Sequence, residues 1–228
     1  MAKPSQVGDS FTQRISGLLK DYDDLVLAVR NKRRQASLET MLAEQTVMSL
    51  GVLWESFLHD LLIAYVERHP LNCRNDFAKK VNKLVIDKLP GTTQWIRFNF
   101  PSSPTPNQLE HLIDPKGWNI AAKSAAELGK QANNWLGATD ARKFALNADD
   151  ATFFDYLVAL RNYLAHRSEG SRGILSQKVK DLSQNPVNSD LRAQLRQVGT
   201  YLKQQTAIGT RVNSIGQRLI DISNILSR

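Results

Sequence analysis

Residues 48–66, MSLGVLWESFLHDLLIAYV, constrain the fold more than any other stretch of the chain. A helix built from them is apolar on almost every side. Such a helix belongs at the centre of a bundle, enclosed by others, rather than on its surface. Ser37 is a candidate N-cap and Pro70 stands just past the far end, which frames one helix from Ser37 to about Arg68. Its longest unbroken apolar run, LLIAYV at 61–66, is far below the ~20 residues that span a bilayer.

The flanking sequence supplies the partners. Phe11, Ile15, Leu18, Leu19, Tyr22, Leu25, Val26 and Val29 recur at steps of three and four, which predicts an amphipathic helix over 11–30. It closes on the basic cluster NKRR at 31–34, where cations suit a helix C-terminus. Asp149 and Asp150 suit the start of another helix, ATFFDYLVALRNYLAHR, followed by a Gly/Ser break at 168–173. Leu191, Leu195, Val198 and Leu202, then Val212, Ile215, Leu219, Ile222 and Leu226, form two seams within 188–226. These suit either packing on the bundle or a coiled-coil dimer contact.

Residues 70–148 are less regular. A short amphipathic helix is expected over 78–89, stopped by Pro90-Gly91. A Pro/Ser-rich loop follows at 92–107, with room for one short strand. Within it WIRFNF at 95–100 places aromatics beside Arg97, a pattern for base stacking or for loop anchoring. Helix is expected again over 117–136. The fold class is therefore all-α: a single domain over 1–228, a helical bundle with an irregular, lid-like insertion at 70–148 between core helices.

Composition narrows the function. With 42% hydrophobic and 23% charged residues, the chain is ordinary globular protein. Cys73 has no cysteine to pair with, and His59, His69, His111 and His166 lie too far apart for a helical metal pair, so no metal site and no cofactor are expected. The opening MAKPSQVGDSF lacks a secretory apolar region, so a cytoplasmic protein without a membrane anchor is expected. The net charge of +8 is uneven, because residues 161–228 hold 11 Lys and Arg against 4 Asp and Glu. A basic excess of this kind attracts polyanions, nucleic acid first, and it also simply keeps a protein soluble.

One short motif carries chemistry. On a helical projection Arg161 falls inside the apolar arc formed by Phe153, Phe154, Leu157, Leu160, Leu164 and Ala165, while Asp155, Asn162 and His166 form a polar strip. An arginine so placed must meet a carboxylate, open into a cleft, or snorkel to an edge. Glu55 in WESFL lies likewise on an apolar stripe with Met48, Val52, Leu62 and Val66. Either the two charges meet, or Glu55 reaches a bundle edge or caps a backbone group. A buried pair of this kind costs ~3–5 kcal/mol to break from one side.

RNYLAH at 161–166, an R-x4-H motif with a polar residue directly after the arginine, late in an all-α bundle and with WESFL on a central helix, resembles the HEPN superfamily. The likeness is greatest to its larger prokaryotic groups, such as the RiboL-PSP-associated type. The resemblance covers the helices near 11–68 and 150–167. It implies a metal-independent endoribonuclease acting as a symmetric homodimer, in many relatives a toxin with a cognate antitoxin or an antiviral effector. It implies Arg161 and His166 as catalytic residues, with Asn162 in the polar position beside the arginine. Apart from the resemblance, Glu55 is expected to support the arginine, and Arg167 and Arg172 to contact RNA. A tyrosine two residues past the histidine, used to silence one toxin subgroup, is replaced by Ser168. A non-catalytic module that binds RNA or a nucleotide, and a dimeric helical adaptor, are the competing expectations.

Overall fold

The computed structural model describes residues 2–88, 104–114, 122–182 and 197–228. The fold is an all-α bundle, as expected. Its described elements are α1 (Pro4–Val29), α2 (Gln35–Arg68), α3 (Pro70–Lys88), α4 (Pro106–Ile113), α5 (Ala125–Trp135), α6 (Ala138–Lys143), α7 (Ala148–His166), α8 (Glu169–Leu182), α9 (Val198–Leu202) and α10 (Arg211–Ser227). A two-residue antiparallel hairpin, β1 (Gln205–Thr206) and β2 (Gly209–Thr210), joins α9 to α10.

α2 is the central helix. α1, α7, α9 and α10 pack on it, and α1 and α10 also pack on each other. Fourteen of its residues are buried, from Ala43 to Val66. Trp54 and Phe57 meet Phe11 of α1 with ring centroids 5.7 and 4.4 Å apart, and Trp54 meets Phe154 of α7 at 6.0 Å. At the far end the Tyr65 hydroxyl donates to the Leu226 carbonyl at 2.7 Å, tying α2 to α10. By length and mean hydropathy α2 is long and apolar enough to cross a membrane, although no unbroken apolar run predicts one. More than half of its most apolar stretch is buried by the other helices, the pattern of a bundle core.

Helix boundaries differ from the periodicity in four places. α1 starts at Pro4, two turns before Phe11, because proline suits the first helical position. α2 starts at Gln35 behind Arg34, not at a Ser37 cap, and Arg34 adopts φ +68. Pro70 does end α2, but it also opens α3 after the single residue His69, so that helix runs back from 78 to 70. The Gly/Ser break expected at 168–173 is shorter than its sequence suggests, since α8 already begins at Glu169. The chain reverses at Arg167 (φ +51) and Ser168, whose hydroxyl accepts from the Ser171 N–H at 3.2 Å and caps the start of α8.

The described part of 70–148 carries more helix than its sequence predicts and shares the common core through Leu109, Leu128, Ala132 and Phe144. Trp135 Nε1 donates to Asp76 at 3.0 Å and clamps α5 to α3. Pro90-Gly91, most of the 92–107 loop with WIRFNF and Arg97, the first part of the 117–136 helix, and Leu191 and Leu195 lie outside the described residues. Of the C-terminal seams, Val198 and Leu202 pack on α2. Val212, Ile215, Leu219, Ile222 and Leu226 are all buried in α10. That second seam therefore packs within the chain, against α1 and α2.

Candidate functional site

α7 positions the motif. Asn147 caps it by accepting from the Asp150 N–H at 2.8 Å, and Asp149 and Asp150 sit in the first turn, where the helix dipole favours acids. The helix then runs antiparallel to α2, since Arg161 meets Gly51 and Glu55 while Arg167 meets Glu44. Gly51 permits the close approach. A Cβ there would lie 2.9 Å from Arg161 Cγ and 3.3 Å from its Cβ, so the arginine stem lies flat on bare backbone.

The two misplaced charges meet. Arg161 Nη2 donates to Glu55 Oε2 at 3.3 Å, and Nη1 donates to Asn162 Oδ1 at 3.3 Å. Both charged side chains are 32% exposed, so the pair sits at the rim of the helix contact and not in the deep core. Arg161 Nε is buried and, among the described residues, has no hydrogen-bond partner. Both bonds are longer than the ~2.7–2.9 Å usual for charge-assisted contacts, which leaves the guanidinium loosely held.

The rest of the polar strip divides. Asp155 is taken by structure: it accepts from Lys178 Nζ at 3.0 Å and from the Ala125 N–H at 2.9 Å, holding α8 and the start of α5 against α7. Asn162 is half-buried beside Arg161, and His166 is exposed in the last turn. Five residues of helix separate Arg161 from His166 by about 140° and about 7.5 Å along the axis, so one chain does not aim both at a single phosphate.

The two arginines expected to contact RNA are engaged differently. Arg167 forms a bidentate pair with Glu44, at 3.3 and 2.5 Å, and lies 5.5 Å from the Tyr163 ring centroid. Glu44 strengthens its hold on the proton. Arg172 makes only a loose pair with Glu169 at 3.7 Å. Glu44 and Gly51 are the site residues that sequence reasoning missed. Gly51 had a signal, because a glycine inside a long apolar helix costs about 1 kcal/mol relative to alanine and calls for a packing reason.

A second cluster lies apart from the motif. A cleft of about 340 Å³ opens between α1, α2 and α4, with Phe11 and Phe57 on its walls and Arg14, His59, Asp60 and Glu110 around it. Asp60 is exposed overall, yet its carboxyl is partly withdrawn from water at the cleft wall, which pushes it above its ordinary range against the opposing pull of His59 and Arg14. Among the described residues no group of three or more His, Cys, Asp or Glu is placed to hold a metal ion. No protein family model, no curated protein and no solved structure matches this chain.

Proposed function

We propose that this chain is a metal-independent endoribonuclease of the HEPN type, acting as a symmetric homodimer in the cytoplasm, with Arg161 and His166 as its catalytic residues. The observation that carries the reading is the Glu55–Arg161 pair. A central-helix carboxylate holds a guanidinium at a half-exposed rim, one and a half turns before an exposed histidine. RNA carries its own nucleophile, so little more is required. A base takes the 2′-OH proton, the oxygen attacks phosphorus, and the 5′-oxygen leaves with a proton, giving a 2′,3′-cyclic phosphate and a 5′-OH end. Histidine titrates near neutrality and suits both proton transfers. The forked guanidinium suits the charge that grows on two phosphate oxygens, and its long bonds to Glu55 and Asn162 are ones a phosphate can replace.

The angle between Arg161 and His166 is the reason for a dimer: arginine from one chain and histidine from the other then converge. Met41 and Val52 of α2 are 52% and 49% exposed, and with half-buried Met48 and Val158 they supply apolar surface on these two helices for a second copy. A toxin or antiviral role, with a cognate antitoxin, accompanies the reading.

The test is incubation with structured RNA in EDTA followed by end-group analysis. Cleavage leaving a cyclic phosphate is expected, and His166→Ala should lower it by about two to four orders of magnitude with folding intact. RNA retained without cleavage would indicate a binding module instead. A monomer by solution mass at micromolar concentration would overturn the composite site.

A further inference from the structure

The turn between α1 and α2 carries four cations in five residues, Arg30, Lys32, Arg33 and Arg34, with only Asn31 between them. All four are exposed, and among the described residues none makes an ion pair or a side-chain hydrogen bond. The nearest acid on α2, Glu39, is already matched by Lys203 at 3.5 Å. The turn is nonetheless well built. Gln35 Oε1 accepts from the Asn31 N–H at 2.9 Å, Gln35 Nε2 donates to Glu39 at 2.7 Å, and the Gln35 N–H donates to the Lys32 carbonyl at 3.0 Å.

Its backbone is also costly. Asn31 and Arg34 adopt φ +64 and +68. Asparagine tolerates that region, whereas an arginine is disfavoured there and a glycine or asparagine would fit better. The one other non-glycine residue with positive φ among the described residues is Arg167, which follows His166. A strained position that keeps a cation in place of a better-fitting small residue points to a use for the cation.

Geometry supplies the use. Because α7 runs antiparallel to α2, its C-terminal end with His166 and Arg167 points toward this turn. Arg34 lies about 15 Å from Glu44, the partner of Arg167, and about 32 Å from Glu55, both measured along the helix axis. We infer that the α1–α2 turn is a second phosphate-binding site, which grips the backbone of a single-stranded RNA whose cleaved bond lies at Arg161 and His166. The inference rests on the ribonuclease reading and adds to it a requirement for substrate length.

The experiment measures anisotropy of labelled oligouridylate of about 16 and about 4 nucleotides across salt, with His166→Ala present so that RNA stays intact. For the long oligomer, the combined variant R30Q/K32Q/R33Q/R34N should lose about 0.7 in the slope of log affinity against log salt per phosphate contact, about two to three in all. Arg34→Asn alone, which suits the φ and preserves the turn, should lose about 0.7. The short oligomer should bind all variants equally. An unchanged slope, or equal losses for the short oligomer, duplex DNA or anionic vesicles, would overturn the site and leave only diffuse charge. The two proposals separate cleanly. Wild type that cuts RNA while the variants keep their slope refutes this site alone. Wild type that binds with the expected slopes but leaves RNA uncut in EDTA refutes the ribonuclease reading alone.

Discussion

Replacing Glu55 by glutamine, alone and together with Arg161→Met, probes the pair on which the proposed site stands. Glutamine keeps the shape and removes the charge; methionine keeps the Cβ and Cγ that lie over Gly51. Removing one partner of a fully buried pair costs ~3–5 kcal/mol, while a solvent-exposed pair contributes ~0–1 kcal/mol. Here both side chains are 32% exposed and the N–O distance is 3.3 Å, so the buried-pair figure does not apply in full. We expect Glu55→Gln to cost about 1–2 kcal/mol, between the two limits. For a chain of this size that lowers the melting temperature by roughly 2–8 °C. In the double variant no charge is stranded, and about 1 kcal/mol of coupling should be recovered. Urea unfolding of the wild type, both single variants and the double variant measures the cycle, with RNA cleavage followed in parallel. Glu55→Gln should lower cleavage, and the double variant should regain stability without activity. Effects that add within ~0.3–0.5 kcal/mol would show that the two residues are not energetic partners and would remove Glu55 from the site.

Three further outcomes follow from the packing and the titrating groups. Gly51→Ala places a methyl 2.9 Å from Arg161 Cγ, so α2 and α7 must part; overpacking of ~1–3 kcal/mol outweighs the ~1 kcal/mol gain in helix propensity, and a net loss of about 1 kcal/mol with weakened cleavage is expected by thermal unfolding and assay. Because partial desolvation raises the pKa of the largely exposed Asp60, a small stability linked to its protonated form is fully present below the ordinary carboxylate pKa and is lost as pH rises through the raised value. Asp60→Asn should therefore be more stable than wild type at about pH 7 and indistinguishable from it near pH 3, and equal urea midpoints at neutral pH would contradict this. Cys73 is buried with its thiol pushed up to about 12, so a disulfide reagent at about pH 8 should leave it untouched in the native protein and titrate one thiol in urea.

Much of this architecture is legible in the order of residues. An all-round apolar 48–66 has to be enclosed, which made α2 the centre before any neighbour was known. The spacing through Val212 and Leu226 required a covered stripe, and Arg161 and Glu55 announced themselves as charges on apolar faces. Periodicity reports which side of a helix avoids water; it does not report what covers that side. Hence the α10 seam suits bundle packing, the commoner case, and also a dimer contact, and only tertiary packing against α1 and α2 decided that it lies within one chain. The same limit hid Gly51, whose role is the bare backbone under an arginine from a helix a hundred residues away, and Glu44, whose partner Arg167 lies 123 positions on. Local propensity also misread 169–173 and 70–77, because a two-residue reversal capped by Ser168 and a proline at a first helical position are settled by where the neighbouring helix already lies. Composition and spacing determined which residues had to find partners, and the three-dimensional fold chose the partners, because contacts between distant segments depend on the path of the chain and not on its local pattern.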